Sequence, residues 1–171
     1  MPISMSSASL PVFSSMLRNL SHLLDKAQAC ADAKKFDVSV LLQYRLAPDM
    51  LPFSRQVQMA CDAAKNGTAR LASLEAPRFE DFESTIPELK ARIQKTLDYL
   101  ATVSASALDG VEDKDITFPL GREATHTMKG EAYLTRWVLP NLFFHVTTAY
   151  DILRHNGVEI GKRDYLVGAS A

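Results

Sequence analysis

Four separate stretches of this chain repeat apolar side chains at three- and four-residue steps, a pattern that few architectures other than helices packed on helices can bury. In the first, Val12, Phe13, Met16, Leu17, Leu20, Leu23, Leu24 and Ala27 form one apolar stripe. Arg18, His22 and Asp25 fall opposite, which makes His22 a surface histidine. Ser9 suits the N-cap of this helix and Pro11 its first turn, where a missing N–H costs nothing. The second long helix is predicted from near Pro52 to about Ser73, with Phe53, Val57, Ala60, Ala64 and Leu71 on one face. Gly67 weakens it by up to ~1 kcal/mol relative to alanine, but a residue that small lets a neighbour approach closely. Thr85-Ile86-Pro87-Glu88 is a capping box with proline in the first turn, and the stripe from Ile86 through Leu100 carries the third helix to about Ser106. The fourth is expected to begin near Glu131, to be interrupted at Pro140 and to continue through Asn156. Gly157 then supplies a left-handed cap.

Between these helices the pattern changes. Asp37 and Ser39 can cap a short helical turn, and Leu41, Leu42, Tyr44 and Leu46 call for burial under the helices. From Ile116 to Met128 the period becomes two, with Gly121 in the middle, which predicts a small β-hairpin. The tail from Val158 to Leu166 is expected to fold back. The fold expected is therefore all-α: a four-helix bundle with a long crossover and a small β-hairpin between helices 3 and 4, forming one domain over residues 1–171.

Composition narrows the functions open to such a fold. With 47% apolar and 23% charged residues the chain has an ordinary globular balance. Its formal net charge is −1 and no basic block stands out, so a nucleic-acid partner is not expected. Met1 to Leu10 has no cation before an apolar stretch and so does not read as a secretory signal. No apolar run approaches a membrane span, and the expected location is cytoplasmic. Cys30 and Cys61 stand far apart without a CxxC partner and read as buried thiols, not a disulfide. There is no nucleophile elbow, P-loop or dinucleotide fingerprint.

The run from Asn141 through His145, Tyr150, Arg154, Gly157 and Gly161 to Leu166, together with Leu46-Ala-Pro48-Asp49-Met50 and Gln56-Val-Gln-Met-Ala-Cys-Asp62, resembles a bacterial domain-of-unknown-function family within the DinB/YfiT-like metalloenzyme group. The resemblance implies a four-helix bundle with a long crossover, often a homodimer. In the better-understood relatives it implies a divalent metal such as zinc or nickel, held by one histidine of the second helix and an HxxxH pair of the last. Some of those relatives are thiol-dependent transferases or isomerases acting on small molecules.

Carried over residue by residue, that site is incomplete here. The last helix keeps His145, but Asn141 stands four residues before it and Ala149 four after. The second helix has no histidine and offers Gln56, whose amide is a poor ligand for zinc or nickel. His145, near the edge of an apolar arc, is the candidate catalytic residue and, with His126 if the hairpin folds over the bundle mouth, the candidate metal ligand. Gln56, Asn141, Tyr44 and Tyr150 are candidate ligand-binding residues. Asp62 falls opposite the apolar face and reads as a solvated carboxylate, and Trp137, Phe143 and Phe144 as packing residues. Two functions follow: a DinB-like homodimer that binds a small ligand or is structural, without metal catalysis, and an enzyme with an altered site in which His145 acts as base or ligand on a small electrophile or thiol conjugate.

Overall fold

The computed structural model describes residues 3–121 and 123–170; Met1 and Pro2, part of the N-terminal stretch read above, lie outside them. The chain is mostly helical, with one two-stranded antiparallel sheet. Helix α1 (Met5–Lys34) begins earlier than its apolar stripe suggests. Ser4, not Ser9, is its cap: the Ser7 N–H donates to Ser4 Oγ and the Ser4 N–H to Ser7 Oγ. Ser9 lies one turn inside, fully buried, its hydroxyl returned to the Met5 carbonyl at 2.7 Å. Pro11 therefore sits within the helix on its exposed side.

The short helix α2 (Ser39–Gln43) starts where the Asp37 carboxylate accepts from the Ser39 N–H at 2.9 Å. Leu41 and Leu42 are buried as expected, but Tyr44 and Leu46 are exposed, at 44% and 42%. After Gln43 the backbone becomes extended and carries them past the edge of the core. Helices α3 (Phe53–Ala72) and α4 (Ile86–Thr102) follow, α4 opened by the reciprocal Thr85 and Glu88 bonds. Helix α4 stops short of Ser106. Val103 turns extended to reach the core, and a single 3₁₀ turn over Ala105–Ala107 completes the connection.

Strands β1 (Asp115–Leu120) and β2 (Ala124–Lys129) pair antiparallel with Ile116 opposite Met128 and Phe118 opposite His126. Ile116 and Phe118 are buried beneath the hairpin, while the Thr117 and Thr127 hydroxyls bond to each other on its outer face at 2.8 Å. Helix α5 (Gly130–Tyr133) runs without a break through a π-helical turn, Leu134–Val138, into α6 (Leu139–His155). The interruption expected at Pro140 is thus displaced upstream. Pro140 has no N–H to give, but it stands in the first turn of α6, directly after the π-helical turn, and the helix runs on past it; next to it the Asn141 side chain donates to the Trp137 carbonyl at 2.7 Å.

Helix α7 (Lys162–Val167) folds back onto α1, held by Asn19 Nδ2 on the Tyr165 carbonyl and by a 3.0 Å contact between His22 Nε2 and Asp164. His22 is therefore half-buried and paired, because the tail covers the side of α1 that periodicity alone leaves open to water. The four long helices α1, α3, α4 and α6 close on a shared core in which Leu24, Phe53, Leu89 and Val146 are fully buried. Among the described residues no helix is long and apolar enough to cross a membrane.

Helices α3 and α6 pack the most extensively of these, and beside that interface Gly67 of α3 meets Val138 of the π-helical turn. A Cβ there would lie 2.4 Å from Val138 Cγ1, so only glycine lets the π-helical turn seat against α3. Beside that seat lies the cavity described next, with Val138 in its wall.

Candidate functional site

The cavity, about 160 Å³, lies between α3 and the α5–α6 helix. Its apolar wall consists of Met59 and Ala63 from α3 with Trp137 and Val138 from the π-helical turn. An α-helix keeps every carbonyl in step with the N–H four residues on; the extra residue of a π turn breaks that step and widens the helix locally. Here that widening falls on two residues of the cavity wall. Trp137 is backed by Phe118 of the hairpin, with ring centroids 4.8 Å apart.

At one end stands His145, 7% exposed, with the Phe144 ring edge-on to it at 5.3 Å. Its Nδ1 is 2.8 Å from Gln56 Oε1. Gln56, 1% exposed, donates its own amide Nε2 to the Leu51 carbonyl at 3.0 Å. That second bond orients the amide, so the oxygen facing the imidazole can only accept. Nδ1 must therefore carry the proton, and Nε2 is left with a lone pair and no hydrogen-bond partner among the described residues. Burial also pushes the His145 pKa below its ordinary value, which keeps the ring neutral at physiological pH. One turn earlier on the same face, Asn141 lines the cavity too.

At the other end Arg70, in the last turn of α3, donates from Nη1 to the Tyr133 hydroxyl at 3.0 Å. Tyr133 is buried. Burial raises its phenol pKa, against a smaller opposing pull from Arg70, so the phenol keeps its proton.

Asp62 lines the same cavity but is not the free carboxylate the helical wheel suggests. Lys65 Nζ and Arg92 Nη2 each lie 3.0 Å from its Oδ1, and both of those side chains are almost wholly buried. Arg92 in turn reaches Glu83 at 3.1 Å and Asp81 at 3.0 Å, and Lys65 sits 4.3 Å over the Phe79 ring. The connection between α3 and α4 is thus strapped across the polar side of α3, and Asp62 belongs to that strap.

The candidate residues read from sequence part company here. His145, Gln56 and Asn141 come together, although Gln56 lies behind the imidazole and not in the cavity wall. His126 stands exposed on the hairpin against the edge of Phe118 and lines no part of the cavity. The hairpin packs behind Trp137 instead of folding over the mouth. Tyr44 is on the surface near α2, and Tyr150 packs edge-on to Tyr165 at 6.1 Å on another side of α6. Sequence reasoning missed Asn66, Arg70 and Tyr133. Asp62, Asn66 and Arg70 recur at every fourth position of α3, a polar stripe that could have marked a second lined face. The thiols stay outside the site: Cys61 is buried, with its pKa pushed up to about 12 chiefly by desolvation, and Cys30 is a half-buried free cysteine on α1.

These donors do not fit a three-histidine metal centre. At the cavity the ligating types are one imidazole, with Nδ1 already bonded, and one carboxylate, held by two cations. Among the described residues no group of three His, Cys, Asp or Glu side chains converges anywhere as a metal site.

With the fold and the cavity in view, comparison with known proteins decides the family. The model of a family described as "Domain of unknown function (DUF1993)" matches residues 5–166. The chain belongs to the DUF1993 family. It is also similar to a solved structure, that of a DinB family member protein from Shewanella denitrificans. The two are 44% identical over 94% of this chain and 90% of that one, with a TM-score of 0.87. This DUF1993 domain therefore sits within the DinB-like group, as the resemblance of the His145 to Leu166 region implies. No curated protein matches the chain.

Proposed function

We propose that this DUF1993 protein is a DinB-like four-helix bundle whose α3–α6 cavity binds a small molecule without a metal. The observation that carries the reading is the Gln56–His145 bond at 2.8 Å. It fixes a neutral imidazole with its free lone pair at Nε2, beside an apolar wall. Such a pairing of a few oriented polar groups with a mostly apolar concavity is the usual make-up of a small-molecule site. The volume supports a ligand of modest size, since a cavity of about 150 Å³ admits benzene.

The test is a neutral fragment set screened by amide NMR shifts, with Ala63→Phe as the cavity-filling control. Shifts clustered on α3 and the Trp137 turn, lost in the variant while its melting temperature holds, are the expected result. No bound fragment, or binding that Ala63→Phe leaves unchanged, would contradict it.

The same nitrogen favours a second reading, in which His145 is a general base. A neutral imidazole held in one tautomer can take a proton from a thiol or hydroxyl brought to Nε2, and the cavity would hold the small electrophile beside it. His145→Ala would then abolish turnover while leaving the fold and fragment binding in place. Retained turnover in that variant would exclude the base.

A further inference from the structure

The cavity has a second polar end whose charge no carboxylate among the described residues balances. Arg70 meets no carboxylate within ion-pair distance among the described residues; its hydrogen bond is to a neutral phenol. The one carboxylate that lines the cavity, Asp62, is already matched by Lys65 and Arg92. His145 adds no charge, because its Nδ1 proton is shared with an amide and its Nε2 carries a lone pair. Among the described residues the cavity therefore holds one cation without a carboxylate partner, Arg70.

The Tyr133 hydroxyl strengthens the same conclusion. It accepts from Arg70, and its own proton has no acceptor among the described residues, although the side chain is only 1% exposed. A guanidinium with free N–H groups and a buried phenol with an unused O–H, 3.0 Å apart, together form a donor pair for a planar anion. Trp137 and Val138 supply the apolar surface between this pair and His145.

Building on the cavity reading above, we infer that the ligand is a small carboxylate, its anionic end held by Arg70 and Tyr133 and its apolar body lying along Trp137 and Val138 toward His145. Arg70 also stands in the C-terminal turn of α3, where a cation suits the helix dipole. That role alone would affect stability but would not make binding depend on ligand charge.

Trp137 is the only tryptophan of the chain and lies in the cavity wall, so its fluorescence reports occupancy. The experiment titrates pentanoate and the neutral isostere pentanamide into the wild type, Arg70→Gln and Arg70→Lys, with circular dichroism confirming each fold. Pentanoate is expected to give a saturable change in Trp137 emission and to bind at least about tenfold more tightly than pentanamide, the scale of a lost charge-assisted pair. Arg70→Gln should erase that preference by weakening the acid alone, and Arg70→Lys should keep part of it. Equal binding of acid and amide by the wild type, or a preference that survives Arg70→Gln, would overturn the carboxylate assignment while leaving the cavity a binding site. Failure of both probes would overturn it as well, and if the neutral fragment set also failed, the cavity reading would fall with it.

Discussion

His145 shows how one buried hydrogen bond decides what a side chain can do. An imidazole facing water exchanges tautomers and charges near its ordinary pKa of 6.5; here Gln56 holds one tautomer and burial opposes the charge. The unfolded chain therefore binds a proton more readily than the folded one between that value and the lowered folded pKa. Its contribution to stability is complete above 6.5 and is lost as pH falls through the folded pKa. His145→Gln, which keeps an amide partner for Gln56 but cannot charge, should lose less stability than the wild type between about pH 7.5 and about pH 5. Urea midpoints at the two pH values check this, and parallel losses would mean that the imidazole charges in the folded state without penalty. The residue was legible as the edge of an apolar arc. Its partner Gln56 was legible as the polar position that the second helix offers to the site, but not as the group bonded to the imidazole, because which side chains meet across two helices depends on their register. Asp62 was misread for a related reason: a wheel drawn on α3 cannot show that residues 77–85 lie across that face and bring Arg92 with them.

At the scale of elements, the site depends on a close approach and on the widening beside it. Gly67 admits Val138, and the π-helical turn that carries Val138 also places Trp137 in the cavity wall. Gly67→Ala would gain up to ~1 kcal/mol in helix propensity but would drive a methyl group to 2.4 Å from Val138 Cγ1. With overpacking costing ~1–3 kcal/mol, the net expectation is a destabilisation of up to about 2 kcal/mol once the full propensity gain is subtracted. Combining it with Val138→Ala should remove most of that loss, a coupling that a double-mutant cycle by urea unfolding measures directly. Additive effects of the two substitutions would show that the helices do not meet there. Local signals foretold much of this level. The Thr85–Glu88 box opens α4, the alternation from Ile116 gives the hairpin, and Gly67 marks a close approach. Pro140 was read as a break because proline removes a helical N–H. The helix instead continues through it, because Pro140 falls in the first turn of α6, directly after the π-helical turn, an accommodation that no propensity encodes.

Across the whole molecule, four apolar stripes were enough to foretell the helices, since each must bury its face against the others. The Asn141–Leu166, Leu46–Met50 and Gln56–Asp62 runs together pointed to the family that the match over residues 5–166 shows. What did not carry over from the resemblance is its chemistry. One imidazole, an amide pair and a carboxylate already bound by two cations stand where a divalent metal would require several free donors. The proposed role therefore rests on a cavity that works through oriented hydrogen bonds, an apolar wall and Arg70. Elemental analysis of protein purified without chelator, wild type beside His145→Ala, tests that claim most directly. The expected result is transition metal far below one equivalent per chain in both proteins; about one zinc or nickel per chain in the wild type, lost in His145→Ala, would contradict it.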